Sequence, residues 1–495
     1  MSPSAPKLVL CVIDAMAPEM LERAIAAGTA PVLERLIAGG MYVPDCVAAF
    51  PSVTPVCAAS IVTGVGQDEH RIPAMNWYDR SEQRYVEYGS SFRSAQRFGI
   101  ARQLVDTVYN MNRAHLSPTT PTVFESLDDA EVRTAGTTYL MYRGRYLHEP
   151  QRDTTLSRVT SKLMRHPVMG PRELFYADLF SSRRTGCRSG LGMPGVRDRH
   201  SGCVSVYLVE NDLFDFLLLS LPDNDWFSHK RGPEAQLQSL AQADLQLARV
   251  MNAAGGVEQF LAEHAFIAMA DHSQAPVTSS IALQDELAEL GVMGPVRSSE
   301  GPRSEDPRIA VCPSQRAAMV YALHESERDA MRASVAGRSM AIEGVDLVIW
   351  LERDAHERPR EGVIASPGRG ELRFAPAGPL LDPRGERWSV DGSLGVIEAE
   401  IRDGVLHSPA YPDALSRVWS ALTCENSGEV LLSAAPGYEF IDWGRQAHVG
   451  GGSHGSLHAS DSLGALVLSG VDVPSPQRQW AIRDIAPIVR AHFSL

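Results

Sequence analysis

The hydrophobic positions of this chain follow two different periods. Lys7-Leu-Val-Leu-Cys-Val-Ile-Asp14, Phe214-Asp-Phe-Leu-Leu-Leu-Ser-Leu221 and Ala265-Phe-Ile-Ala-Met-Ala270 are almost continuously apolar over strand length. Such runs predict strands buried on both faces, as in a parallel sheet. Thr134–Met141 and Leu463–Ser469 predict two further strands. Elsewhere the apolar residues recur at helical spacing: Met20, Leu21, Ala24 and Ile25 after Pro18; Val32, Leu33, Leu36 and Ile37 after Pro31; Leu237, Leu240, Leu245, Leu247 and Val250 after Pro233. Ile482–Phe493 predicts a closing helix. Strands alternating with helices predict an α/β fold, a doubly wound and mostly parallel sheet covered on both faces.

The texture changes twice. Residues 80 to 133 are polar with one helical stretch at Ala101–Met111, and 150 to 200 are rich in Arg, Gly and Ser. The reading is a lid insertion at about 80–200 rather than a run of sheet elements. From 276 to 444, short strand-like runs (Ala318–Leu323, Val345–Leu351, Gly395–Ile401) alternate with Pro/Gly-rich connections, which predicts an inserted α+β subdomain. Residues 1–275 and 445–495 then form the catalytic core, with Val430–Ala434 expected where the chain returns to it.

Composition narrows the function. With 495 residues, 44% of them apolar, the chain can bury a large core. A net charge of −14 at pH 7 argues against a nucleic-acid polymer as partner. The seven cysteines are scattered and never spaced Cys-x-x-Cys, so neither a disulfide framework nor a zinc-thiolate site is expected, and a reducing, cytoplasmic location fits. No apolar run approaches the ~18 residues of a membrane span. Oligomeric state is not written in the pattern.

The candidate chemistry lies where the apolar runs stop. In a doubly wound sheet, ligands bind beyond the carboxyl ends of the strands. Asp14 and Asp271 end two predicted strands, and Pro222-Asp223-Asn224-Asp225 follows a third. His272 adjoins Asp271, His229 lies four residues after Asp225, and His454 sits in the glycine-rich Gly450–Gly455 loop. An aspartate ending a strand also serves as a helix cap, and Asp-x-x-x-His is also the spacing of a surface pair. Together, however, three carboxylates would repel one another without a countercharge, and three carboxylates plus three histidines exceed the ligand set of one zinc. They suit two divalent ions ~3.5–4 Å apart, a clamp for in-line phosphoryl displacement. Thr54 stands in a Pro51-Ser-Val-Thr-Pro55 turn before the small, apolar stretch Val56–Val62, where a helix N-terminus favours negative charge.

These motifs resemble, in order and across residues 7 to 470, the nucleotide pyrophosphatase/phosphodiesterase branch of the alkaline phosphatase superfamily. The resemblance rests on Phe50-Pro-Ser-Val-Thr54, His70-Arg-Ile72 with Asn76-Trp-Tyr-Asp79, Asp225-Trp-Phe-Ser-His229, Asp271-His272 and Gly452-Ser-His-Gly455. It implies Thr54 as nucleophile and metal ligand, with two divalent ions, Zn2+, as cofactors. Asp14, Thr54, Asp271 and His272 would hold one ion; Asp225, His229 and His454 would hold the other. Asn76 and the backbone N–H after Thr54 would meet the phosphoryl oxygens. The sequence departs from the family at Arg71 and Ser228, which replace glycines, and at Pro55-Val-Cys-Ala58 in the substrate-pocket run. Asp223 is an alternative to Asp225, and Ser52 an alternative to Thr54. Sulfatases share the superfamily, but neither Cys46 nor Cys57 is followed by their x-Pro-x-Arg sequel.

The expected activity is a two-metal phosphohydrolase that cleaves a phosphodiester or pyrophosphate bond of a small organophosphate through a phosphothreonine intermediate. The alternatives are a phosphonate C–P hydrolase or phosphomonoesterase on the same centre, and a metal-binding protein without turnover.

Overall fold

Leu8, Leu10 and Val12 pack on one side of the strand Lys7–Ile13, while Val9, Cys11 and Ile13 pack on the other. Side chains alternate across a strand, so a strand covered on both faces must be apolar at every position. The computed structural model describes residues 6–151, 164–190, 193–295, 303–354, 356–473 and 479–495. Parts of the expected lid (152–163 and 191–192) and of the expected insertion (296–302 and 355) lie outside these.

Lys7–Ile13 is central to an eight-stranded sheet, ordered Met41–Val47, Leu463–Ser469, His264–Met269, Lys7–Ile13, Phe216–Leu221, Thr134–Gly136, Glu173–Tyr176, Phe180–Ser181. The four pairings from His264–Met269 through Glu173–Tyr176 are parallel. Leu463–Ser469 runs antiparallel to both of its neighbours. Helices Pro18–Ala26, Pro31–Ala38, Arg197–Glu210 and Gln236–Asn252 cover one face. On the other, the helix Thr54–Thr63 packs within a core cluster continuous with a second, mostly antiparallel nine-stranded sheet. The architecture is the doubly wound, mostly parallel α/β fold expected from the pattern.

Several local readings need correction. The strand expected over Thr134–Met141 pairs only through Thr134–Gly136. Glu173–Tyr176, inside the expected lid, is a strand of the main sheet; at four residues in a polar context it carries almost no pattern. Val430–Ala434 belongs to the second sheet, between Ala317–Ala322 and Val345–Arg353. Gly395–Ile401 is chiefly a 3-10 turn, Leu394–Ile397. Residues 92–129 are largely helical rather than irregular.

Cys187 and Cys203 form a disulfide, contrary to the expectation of none. Cys203 lies within the helix Arg197–Glu210, and the loop before that helix folds back against it, a pairing that spacing alone does not reveal. Cysteine usage therefore no longer supports a reducing compartment. Among the described residues, no helix is long and apolar enough to cross a membrane.

Candidate active site

The ladder delivers the acids to one edge. Asp14 N–H donates to Leu221 O (3.1 Å), extending the pairing of Ile13 with Leu221. The chain then turns sharply: Ala15 takes a left-handed φ of 57°, unusual for a residue with a Cβ, and its N–H donates to Asp271 Oδ1 (3.2 Å). His272 N–H donates to the same oxygen (3.1 Å), and Asn224 Nδ2 holds Asp14 O (2.8 Å).

The helix Asp223–Arg231 places Asp225 and His229 one turn apart, with His229 Nε2 3.3 Å from Asp225 Oδ2. Asp223 is not available as their alternative. It receives Arg197 Nε (2.8 Å) and Asp198 N–H (3.1 Å), and its own N–H donates to Asp198 Oδ1 (3.0 Å).

His454 arrives by a short pairing of Gly452–Ser453 with Ala275–Pro276, directly after the Asp271-His272 segment. Glycine is required here for close approach. A Cβ at Gly451 would lie 2.0 Å from His229 O, and one at Gly455 (φ 120°) 2.9 Å from Ser314 O. Beneath this loop Arg316 and Asp461, both fully buried, form an ion pair (3.0 Å). Arg316 N–H donates to His454 O (2.9 Å), while Asp461 receives Ser456 N–H (2.8 Å) and its backbone carbonyl receives Ser273 N–H (3.2 Å).

Seven of the eight expected side chains converge. Thr54 Oγ1 is 3.2 Å from His272 Nε2, which lies 3.6 Å from Asp14 Oδ1 and 3.5 Å from Asp271 Oδ2. His454 Nε2 is 3.5 Å from Asp225 Oδ1. Two groups have candidate ligand atoms within 4.8 Å of one another: Asp14, Asp271, His272 and Asp225, His272, His454, with His272 common to both. Each imidazole presents Nε2, because its Nδ1 faces a backbone carbonyl: Gly452 O for His229 (2.8 Å), Ser52 O for His454 (2.7 Å), Ser273 O for His272 (3.1 Å). That arrangement fixes the tautomer of a metal-ligating histidine.

The electrostatics match a site built for cations. Burial, then the charges of Asp271 and Asp225, push Asp14 well above the ordinary carboxyl range. Burial would also raise Asp225, but the imidazoles of His229, His454 and His272 hold it far below. Burial lowers His454, and His272 lowers it further. Asp14 Oδ1 and Asp271 Oδ2 are buried without a hydrogen-bond partner. Buried carboxylate oxygens left unpaired next to imidazole Nε2 atoms are a donor set that a divalent ion satisfies.

The eighth residue, Asn76, has hydrogen bonds outside this group. Asn76 Nδ2 donates to Val86 O (2.9 Å) across its own hairpin, and its backbone N–H donates to Ser314 Oγ (3.1 Å). The expected amide after Thr54 is also missing, since Pro55 has no N–H and Val56 N–H donates to Val53 O (3.0 Å). Ser52 is an anchor rather than a rival nucleophile: its hydroxyl donates to Ser456 O (3.1 Å) and accepts from Gly455 N–H (3.0 Å). Arg71 adopts the left-handed backbone (φ 68°) that suits the glycine it replaces.

Sequence reasoning missed the residues that brace the ligands. Gln274 Nε2 donates to Asp225 O (3.1 Å) and to Asp225 Oδ1. The Glu439 carboxylate receives His448 Nδ1 (2.8 Å) and Ser453 Oγ (2.9 Å), and the His448 ring stacks on His229 (4.1 Å between centroids). These residues had no spacing signal beyond their nearness to ligand motifs.

The chain matches the sequence profile of type I phosphodiesterase / nucleotide pyrophosphatase over residues 8–381, and it belongs to that family. By that membership it is a hydrolase of phosphoesters. Its fold is similar to that of phosphonoacetate hydrolase from Sinorhizobium meliloti 1021 in complex with phosphonoformate (18% identity, TM-score 0.55, covering 99% of this chain and 96% of that one). It is also similar to an inactive form of murine ectonucleotide pyrophosphatase/phosphodiesterase 5 in complex with AMP (11% identity, TM-score 0.56, covering 99% and 95%). No curated protein matches it in sequence.

Proposed function

We propose that this chain hydrolyses a phosphodiester or pyrophosphate bond of a small organophosphate through a covalent intermediate on Thr54. The observation carrying the proposal is the 3.2 Å approach of Thr54 Oγ1 to His272 Nε2, the imidazole common to both ligand groups. Asp14, Thr54, Asp271 and His272 would hold one divalent ion, and Asp225, His229 and His454 the other. Bound there, two such ions supply Lewis acidity that lowers the pKa of a coordinated hydroxyl and neutralises transferring phosphoryl charge. The charges balance, with Asp14, Asp225, Asp271 and a Thr54 alkoxide against two dications.

Thr54 Oγ1 bonds to phosphorus as the bond to the leaving oxygen breaks, and the proton that Thr54 loses ends on that departing oxygen. Water then attacks phosphorus, its oxygen bonding there as the bond to Thr54 Oγ1 breaks, and one of its protons restores the Thr54 hydroxyl as the phosphorylated product leaves. Thr54 is held for this by the buried helix it begins, where Pro55 suits the first turn.

A second reading is phosphonate hydrolysis, which the likeness to phosphonoacetate hydrolase brings into view. Metal analysis of the purified protein, beside parallel assays on bis-p-nitrophenyl phosphate, p-nitrophenyl phosphate and phosphonoacetate, tests both. Two metals per chain with faster diester cleavage that chelation abolishes supports the first reading. Phosphonoacetate turnover moves the assignment to the second, and protein without metal refutes both.

A further inference from the structure

Of the two donors expected for the phosphoryl oxygens, the amide after Thr54 is absent because Pro55 has no N–H, and Asn76 Nδ2 gives one of its two hydrogens to Val86 O. A third donor lies buried on the opposite flank. Thr134–Gly136 pairs with Phe216–Leu221, Gly136 opposite Leu218. The chain stays alongside that strand, with Thr137 N–H donating to Leu218 O (3.0 Å) and Ser220 N–H donating to Thr137 Oγ1 (2.9 Å). Tyr139 stands two residues on, and the neighbouring strand ends where Leu221 pairs with Ile13, the residue before Asp14.

Tyr139 is 5% exposed and belongs to the same core cluster as Val53, Val56, Cys57 and Ala58 around the Thr54 turn. Its hydroxyl is buried and has no hydrogen-bond partner. Neither Asp14 nor Asp271 accepts from it, although the charges of both reach it. Burial first, then Asp271 and Asp14, push the phenol well above its ordinary pKa, so it stays a neutral donor. A buried hydroxyl with no acceptor is destabilising, a cost that phenylalanine at this position would avoid.

We infer that Tyr139 is a substrate-binding residue whose hydroxyl donates to a non-bridging oxygen of the phosphoryl or phosphonyl group above Asp14, Thr54 and Asp271. The inference rests on the phosphoryl-transfer reading above. A neutral donor to a charged oxygen suits the role, since it strengthens as charge grows there and needs no proton transfer of its own.

The test is Tyr139→Phe, compared with the wild-type protein for metal content, orthovanadate affinity and kcat/KM on the preferred substrate of the assay panel. Expected are unchanged metal content, with vanadate affinity and kcat/KM each lower by about 10- to 100-fold, the range for one hydrogen bond to a charged group. Wild-type vanadate affinity and kcat/KM in the variant would overturn this inference alone. Reduced metal content would overturn it too, because the hydroxyl would then be supporting the ligands. If the wild-type protein neither turns over the panel nor binds vanadate, the functional reading itself falls and takes this inference with it.

Discussion

His272 and His454 lie face to face, their ring centroids 3.7 Å apart and their planes 16° from parallel. Two imidazolium rings at that distance would repel strongly, and burial together with His272 holds His454 well below the ordinary histidine range. His454 is therefore neutral, the form in which an imidazole binds metal. His454→Ala should bring the metal content down from about two ions per chain to about one, read by plasma emission on gel-filtered protein. Two ions retained in the variant would remove His454 from the ligand set.

Thr54 carries a separate prediction. Thr54→Ala should lower kcat by about 1,000-fold or more, as loss of a nucleophile does, while Thr54→Ser keeps measurable turnover. Intact-mass analysis of acid-quenched wild-type protein should show a phosphoryl adduct that the alanine variant lacks. Full activity in Thr54→Ala would end the assignment.

The Arg316–Asp461 pair braces both histidine segments from below. Arg316→Met leaves Asp461 buried and uncompensated, which should destabilise the fold by about 3–5 kcal/mol. Adding Asp461→Leu should recover most of that loss. Urea unfolding of the three proteins reads the difference, and a mild effect of the single change would mean that water reaches the pair.

The Cys187–Cys203 disulfide can be counted chemically. Denatured protein should show five thiols before reduction and seven after, because Cys11, Cys46, Cys57, Cys312 and Cys424 are free. Cys203→Ser should lower stability by about 3 kcal/mol, the loop-closure contribution of roughly 15 residues. Seven thiols at the outset would show that the bond does not form.

Glu87 gives a pH dependence. Burial raises its carboxyl to about 7, against the opposing N–H groups of Ser90 and Gly89. Between the ordinary 4.5 and about 7 the folded chain keeps a proton that the unfolded chain has released, so its contribution to stability falls as pH rises through that window. Glu87→Gln should flatten this part of the profile in urea unfolding at pH 5 and 7.5. An identical slope in both proteins would place the titration elsewhere.

What could be read beforehand followed from physics local to the chain. Leu8–Ile13 and Ala265–Ala270 declare their burial because both faces are covered, and their terminal aspartates mark the carboxyl edge. Asp225 and His229 share a helix, so their spacing is informative by itself. Asn76 shows what a motif leaves out: it gives order along the chain and not direction, and one hydrogen of this amide goes to Val86 O across the hairpin. Glu173–Tyr176 is too short to show a period. Arg316, Asp461, Glu439 and Gln274 became visible only in the folded chain, since each acts across pairings that join distant segments. The disulfide was hidden for a related reason: a loop folding back on its own helix leaves no spacing motif.

Asp14 lies near one end of the sequence and His454 near the other, on the loop joined to the Asp271-His272 segment through Ala275–Pro276. A ribosome must therefore make every residue from Asp14 to His454 before the second candidate group can close. Until then the group of Asp225, His272 and His454 lacks a member, whereas Asp14, Asp271 and His272 have all been made. An ion held by the group that includes His454 would therefore be among the last partners this chain acquires.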